Sequence, residues 1–177
     1  MSRVGKVPVA LTNGAKVEIS GLNIKVFGPK GTLERKFSGE ISIESVDNTV
    51  VVNPLSDTNK ARAMWGTARS IINAMVKGVT SGFSEELEVN GVGYRASVKD
   101  KYLNLILGKS HNTKIEIPEE VEVKTPKQNI ITLESINKET LGEFIAVIKR
   151  QRPPEPYKGK GIKRKGEYVQ RKEGKKS

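Results

Sequence analysis

Short runs of alternating apolar and polar residues occur along most of the chain, and one of them occurs twice. Residues 17–21 read Val-Glu-Ile-Ser-Gly, and residues 87–91, seventy positions later, read Leu-Glu-Val-Asn-Gly. Alternation with a period of two is typical of strands that bury one face. In the first half the pattern predicts strands at about 16–20, 23–27, 32–37, 40–45 and 49–53. In the second half it predicts strands near 86–90, 93–99, 102–108, 114–117, 121–124 and 130–134.

Two turns are predicted between these strands. In residues 28–31 (Gly-Pro-Lys-Gly) the proline presets the backbone angle at the second position of a tight turn. Asp100 and Lys101 are predicted to form a two-residue hairpin loop.

Each half ends in a segment with helical spacing of apolar residues. The first helix is predicted at about 59–79, with Asp57, Thr58 or Asn59 as its cap. The second is predicted at about 137–150 and is ended by the prolines at 153–154. The apolar stripes consist of Ala61, Met64, Trp65, Ala68, Ile72, Met75, Val76 and Val79 in the first helix, and of Leu141, Phe144, Ile145 and Ile148 in the second.

The order of elements predicts a duplicated domain, because a series of strands followed by one helix occurs in each half. Aligning the helices on Gly66 and Gly142 gives an offset of 76 residues, close to the offset of the opening strands. The expected junction is residues 79–82 (Val-Thr-Ser-Gly). A chain of 177 residues allows two domains of about 80 to 90 residues, each able to bury a core.

The composition narrows the class of protein. There is no cysteine, which excludes a disulfide framework and a thiolate metal site. No stretch approaches the roughly 20 apolar residues of a membrane span, and no apolar run follows the first residues. We therefore expect a soluble, basic, intracellular protein without a secretory signal.

Positive charge is concentrated at the C-terminus. The net charge is +11, and residues 149–177 contain twelve Lys or Arg against three Glu. A polyanion attracts such a segment by counterion release, whereas a disordered, solubilising tail is the alternative reading. The composition favours nucleic acid, because glycines allow close approach to phosphates, basic side chains neutralise them, and Tyr157 can stack on a base or sugar.

A glycine-rich string at residues 91–96 (Gly-Val-Gly-Tyr-Arg-Ala) matches the dinucleotide-binding fingerprint. That fingerprint requires a following helix whose N-terminus faces the pyrophosphate. The next residues alternate as in a hairpin, so the glycines are predicted to mark a bulge or a close approach of strands.

The remaining candidate groups do not predict an active site. His111 is the only histidine and stands in a polar loop, where contact with solvent or a phosphate is expected. The carboxylate pairs at 85–86 and 119–120 flank strands without apolar surroundings that would raise a pKa. Trp65 and the methionines of the first helix are predicted to be core residues.

One segment of the basic tail resembles a family signature. Residues 152–162, Arg-Pro-Pro-Glu-Pro-Tyr-Lys-Gly-Lys-Gly-Ile, are similar to the C-terminal signature of the bacterial-type protein six of the large ribosomal subunit. Further similarity lies at residues 2–6, 28–33, 66–69 with 73, 75–76 and 78–79, 91–96 and 110–111. The resemblance covers nearly the whole chain, in order, with the expected length and duplication.

The resemblance implies an α+β fold of two tandem duplicated domains, each an antiparallel β-sheet with one packed α-helix. The expected domains are 1–81, an RNA-binding domain at 82–152, and a basic C-terminal extension at 153–177. It also implies a structural constituent of the large ribosomal subunit, without catalytic activity or cofactor. Such a protein would bind large-subunit ribosomal RNA near the stalk base, beside the sarcin–ricin region where translation factors dock. Neighbouring ribosomal proteins would be partners, membranes would not, and the location would be cytoplasmic, with an organellar ribosome left open.

The resemblance also implies the RNA contacts. Carried over from the signature are Arg152, Tyr157, Lys158, Lys160 and Lys163, with Gly159 and Gly161 as backbone approach points. The expected set is completed by the neighbouring Lys149, Arg150, Arg164 and Lys165, and by Arg95 and His111 on loops of the second domain. Arg69 is left open between a structural role and RNA contact. The chain departs from the family at Arg164, usually tyrosine, at Lys109 and Asn112 beside His111, and at Thr12, where proline is common.

Two outcomes are expected in solution. With roughly six phosphate contacts on duplex-like RNA, the log–log dependence of binding on salt should have a slope of about −5. Removal of everything after Arg152 should abolish most RNA affinity and leave both domains folded.

Two other classes of function are weighed against RNA binding. An enzyme acting on a phosphorylated substrate through the segment at Gly91 would bind ATP or a dinucleotide saturably. A protein-binding adaptor with its tail on an anionic membrane would bind vesicles, although residues 158–177 lack an amphipathic stripe.

Overall fold

The chain folds into two compact units. The computed structural model describes residues 3–12 and 14–175. The first unit is Met1–Gly82 with Ile136–Lys138, and the second is Phe83–Ser135 with Glu139–Ser177. The boundary after Gly82 lies at the end of the segment that the sequence predicts as a junction.

The first unit contains two three-stranded antiparallel sheets and one helix. Its strands are β1 (Val9–Ala10), β2 (Lys16–Ser20), β3 (Asn23–Gly28), β4 (Gly31–Lys36), β5 (Ile41–Val46) and β6 (Thr49–Pro54). The sheets have the orders β1–β6–β5 and β2–β3–β4. The two-residue strand β1 was not predicted, since its pairing with β6 cannot be read from so short a segment.

The helix of the first unit, α1 (Asn59–Thr80), closely matches the prediction. Its cap is Thr58, whose hydroxyl accepts a hydrogen bond from the Ala61 amide at 3.2 Å. Trp65 is buried, and its indole nitrogen donates to the Val52 carbonyl at 2.6 Å. The core role predicted for Trp65 is therefore confirmed.

The second unit repeats this arrangement with one additional strand. Its elements are β7 (Phe83–Asn90), β8 (Arg95–Lys99), β9 (Tyr102–Ile106), β10 (Thr113–Glu116), β11 (Val121–Lys127), β12 (Ile130–Ser135), α2 (Lys138–Gln151) and β13 (Gly161–Arg164). The sheets have the orders β10–β9–β8 and β11–β12–β7–β13, and all pairs are antiparallel. The α+β class is confirmed, with two sheets rather than one in each unit.

Part of the predicted basic extension forms strand β13 of the second unit. Gly161–Arg164 pairs with Asn90–Leu87 of β7, and the Ile162 side chain is fully buried in the core of the second unit. A fragment ending at Arg152 lacks this strand, so the expectation that truncation there leaves the second domain intact is corrected. The domain boundaries proposed from the sequence stay a prediction.

Both predicted turns are present. Gly28 pairs with Gly31 across Pro29 and Lys30, and Lys99 pairs with Tyr102 across Asp100 and Lys101. Asp100 has φ of 56°, a conformation that aspartate tolerates in tight hairpins.

Candidate nucleic-acid interface

A tight loop near the C-terminus contains the first group of predicted RNA contacts. We define the C-terminal loop as residues 155–160. The Glu155 amide donates to the Lys160 carbonyl at 2.8 Å, and the Gly159 amide donates to the Glu155 carbonyl at 3.1 Å. These bonds fix the loop with Tyr157 and Lys158 exposed at its tip. An exposed aromatic ring beside a lysine can stack on a base while the cation meets a phosphate.

The backbone of the protein itself accounts for the two glycines of this region, Gly159 and Gly161. A Cβ at Gly161 would lie 2.5 Å from the Pro153 carbonyl oxygen, and φ there is +136°. Gly159 adopts φ of +71°, in the left-handed region. The close approach at Gly161 is thus to the protein's own backbone, while an RNA approach at either glycine stays a prediction.

Two predicted RNA-binding lysines are engaged in ion pairs on the sheet. Lys163 on β13 lies 3.2 Å from the Glu88 carboxylate, and Lys165 lies 2.5 Å from that of Glu86. The hydrogen bond that Lys165 donates to Glu86, together with the negative charge of that carboxylate, raises the pKa of Lys165. A phosphate would have to replace these carboxylates, so both lysines are poorer candidates than their position in the sequence implied.

Lys149 is also paired. Its ammonium group donates to both carboxylate oxygens of Glu167, at 2.6 and 2.7 Å. The Arg164 amide donates to the same carboxylate at 2.8 Å. These bonds, led by the one from Lys149, hold the pKa of Glu167 below its usual value, and the Arg164 charge adds to the effect.

Besides Arg95, four predicted cations of the C-terminal region have no acidic partner within residues 3–12 and 14–175. Arg150 lies in the last turn of α2, Arg152 follows the helix, and Lys158 and Lys160 belong to the C-terminal loop. The sequence analysis missed Arg171, which the chain brings back to this loop. A Cβ at Gly159 would lie 3.4 Å from the Arg171 guanidinium, and the neighbouring Lys172 amide donates to the Pro156 carbonyl at 2.8 Å.

We call these five residues the C-terminal cationic surface: Arg150, Arg152, Lys158, Lys160 and Arg171. A cleft between α2 and the turn after β13 includes Arg150 of this surface, and Pro153, Arg164 and Glu167 also contribute to its walls. Arg171 thus lies beside the loop that carries Lys158 and Lys160, and Arg150 and Arg152 stand at the end of α2 in the same unit. The only sequence signal for Arg171 was its place in the basic tail.

Arg95 and His111 belong to a different part of the second unit. Arg95 begins β8, and His111 lies in the loop between β9 and β10, with both residues exposed. The Tyr94 ring fills the space beside Gly91 and Gly108, where an added Cβ would lie 2.5 and 3.1 Å from ring carbons. The glycine-rich string is followed by a strand, as predicted. Its glycines lie in a turn, where Gly91 packs against the Tyr94 ring, and they do not mark the predicted bulge or close approach of strands.

Arg69 has a structural role in the first unit. Its guanidinium donates to the Val7 carbonyl at 3.0 Å and to the Pro8 carbonyl at 3.5 Å. These bonds attach the segment before β1 to α1. Of the two roles left open from the sequence, the structure therefore supports the structural one.

Two other kinds of site are absent from the described part of the chain. None of its helices is long and apolar enough to cross a membrane. No group of three or more His, Cys, Asp or Glu residues there could hold a metal ion.

Comparison with known proteins accounts for the duplicated fold. The family model described as ribosomal protein L6 matches residues 12–82 and again residues 90–165. The chain belongs to the ribosomal protein L6 family. It is also 49% identical over 176 residues to the large ribosomal subunit protein uL6 of Erythrobacter litoralis (strain HTCC2594), with 99% of each chain covered. As a member of this family the chain is a structural ribosomal protein and not an enzyme. The second match includes β13, in agreement with its place in the sheet.

Proposed function

We propose that this chain is a constituent of the large ribosomal subunit that binds large-subunit ribosomal RNA through its C-terminal cationic surface. The observation that carries RNA binding is the fixed C-terminal loop, which holds unpaired Lys158 and Lys160 beside the exposed Tyr157. Assembly into the large subunit is supported by the relative at 49% identity, which bears that name.

The mechanism is electrostatic and positional. Cations without an acidic partner can bind phosphates and release counterions from RNA without losing an ion pair. A phosphate that binds Lys149, Lys163 or Lys165 must first replace a carboxylate. The C-terminal cationic surface supplies five basic residues. Five phosphate contacts give a salt slope of about −4.5, close to the expected value of about −5, with no ion pair broken.

The finer placement follows from the family resemblance. We infer a site near the base of the lateral stalk, beside the sarcin–ricin region, with neighbouring ribosomal proteins and docking translation factors close by. A cytoplasmic ribosome is the proposed location. Near-complete coverage of a relative of the same length supports this placement, because an inserted or missing domain would alter the contacts available.

Sucrose-gradient sedimentation of the tagged protein in cell extract tests the assignment. We expect co-migration with large subunits at low salt and release at high salt. Crosslinking from a photoreactive group at Tyr157 should then identify RNA at the stalk base. Sedimentation apart from ribosomes would contradict the proposal. Crosslinks to membrane lipids rather than to RNA would favour the membrane adaptor.

A further inference from the structure

Glu167 occupies an unusual position for an acidic residue in a basic tail. The turn at residues 164–167 follows β13, with Gly166 at φ of +77° and the Glu167 amide donating to the Arg164 carbonyl at 3.1 Å. The side chain then binds the Arg164 amide and the Lys149 ammonium group. One carboxylate thus connects the end of β13, the turn and α2.

The chain beyond this point is held at a second place. We call residues 168–175 the returning segment. It reaches the C-terminal loop, where the Lys172 amide donates to the Pro156 carbonyl and Arg171 lies beside Gly159. The direction in which the returning segment leaves β13 is set at Glu167, because the carboxylate closes the turn immediately before it.

We propose that Glu167 is a positioning residue for RNA binding, which orients the returning segment so that Arg171 joins Lys158 and Lys160 before RNA arrives. The inference rests on the proposed function. Ordering a flexible basic segment during binding reduces affinity, and a segment ordered in advance avoids that loss. Glu167 therefore increases RNA affinity although its charge is repelled by RNA.

In the opposite role, Glu167 would inhibit RNA binding. A carboxylate on a lysine and a backbone amide resembles a bound phosphate, and in that role Glu167 would compete with RNA. The side chains of Lys149 and Glu167 are 25% and 33% exposed, and both line the cleft beside α2. An RNA phosphate that took the place of the carboxylate on Lys149 would open the turn, and an open turn would no longer hold Arg171 beside Gly159. The geometry therefore favours positioning.

The two roles predict opposite signs for one substitution. Glu167→Gln removes one negative charge and weakens the contact with Lys149, and Glu173→Gln removes the same charge from the same tail without touching the turn. We expect Glu167→Gln to weaken binding to protein-free large-subunit ribosomal RNA about five- to tenfold. We expect Glu173→Gln to bind as tightly as the unsubstituted protein or slightly more tightly. Equal or tighter binding by Glu167→Gln would overturn the proposal.

Two further readouts separate positioning from a loss of fold. Amide hydrogen exchange at Lys172 reports its bond to Pro156 without RNA, and we expect faster exchange in Glu167→Gln but not in Glu173→Gln. The salt slope should become shallower by about one in Glu167→Gln, because one phosphate contact is lost. Unchanged exchange at Lys172 would overturn the proposal even if affinity fell.

A charge reversal tests the pair itself. The double variant Lys149→Glu with Glu167→Lys has the net charge of the unsubstituted protein. We expect it to bind RNA more tightly than the sum of the two single reversals predicts, because it restores the pair. Strict additivity would contradict positioning. If the unsubstituted protein bound no RNA, the proposed function would fail; if it bound and Glu167→Gln matched Glu173→Gln, only the role of Glu167 would fail.

Discussion

Gly161 shows how a single backbone position supports the RNA-binding region. Its φ of +136° disfavours any residue with a side chain, and the atoms nearest to an added Cβ belong to the backbone at Pro153 and Pro154. Backbone atoms cannot rotate away as a side chain can. The start of β13 therefore requires glycine where it passes the backbone that follows α2, whether or not RNA is bound.

We predict that Gly161→Ala destabilises the second unit by about 2–3 kcal/mol, through backbone strain and overpacking together. Gly174→Ala is the matched control, because an added Cβ there has no neighbour within 4 Å. Urea denaturation of both variants measures the difference. Equal stability of the two variants would show that the crossing has room for a side chain.

The Glu167 carboxylate gives the second prediction at this scale. Its pKa is lowered from the usual 4.5 by the hydrogen bonds from Lys149 and the Arg164 amide and by the Lys149 and Arg164 charges. Because this pKa is lower in the folded state than in the unfolded state, the ionised carboxylate stabilises the turn at pH values above the pKa of the unfolded state. That contribution is lost as the pH falls through the folded value.

An NMR titration of the Glu167 carboxyl carbon should therefore show a midpoint below 4.5. The Lys172 amide signal should move with the same midpoint, and it should lose this transition in Glu167→Gln. A Glu167 midpoint at or above the usual value would contradict the contact with Lys149.

At the scale of elements, β13 joins the basic tail to the hydrophobic core. Ile162 is fully buried, although Lys160, Lys163 and Arg164 stand close to it in the sequence. We predict that Ile162→Ala destabilises the second unit by about 2–4 kcal/mol, whereas Val147→Ala, at a position 39% exposed, has a small effect. Calorimetry that separates the two unfolding transitions should show the shift in the second unit alone.

The same reasoning applies to truncation. A chain that ends at Arg152 loses β13, and a chain that ends at Glu167 keeps it together with the turn. We expect the shorter fragment to show faster amide exchange along β7, whose edge it exposes, and the longer fragment to exchange as the full chain does. Equal protection of β7 in both fragments would show that β13 contributes little to the sheet.

Local signals predicted most elements, and tertiary pairing determined the rest. Alternation, the Gly-Pro turn and the apolar stripes predicted the strands and helices because each signal lies within a few residues. Strand β13 offered one buried isoleucine in a run of basic residues, so only its pairing with β7 reveals it. The ion pairs of Lys163 and Lys165 depend on the same register, which places them near Glu88 and Glu86. The sequence therefore indicated the cationic segment but not which of its cations are free.

At the scale of the whole molecule, the uneven distribution of charge has two components. Part of the positive charge near the C-terminus neutralises carboxylates of β7 and the turn, and this part supports the fold. A second part, in the C-terminal cationic surface, has no acidic partner among the residues that the structure describes. Only the second component is free to bind a polyanion without a compensating loss, so a count of basic residues overstates the charge available to RNA.

Two double variants with the same change in net charge test this division. Lys158→Gln with Lys160→Gln removes unpaired cations, and Lys163→Gln with Lys165→Gln removes paired ones. Long-range attraction to RNA falls equally in both, so a difference in salt slope reports direct phosphate contacts. We expect the slope to become shallower by about two in the first variant and by less than about one in the second. Equal changes in slope would mean that Lys163 and Lys165 leave their carboxylates and contact phosphates, and that the ion pairs of the free protein do not determine which cations bind RNA.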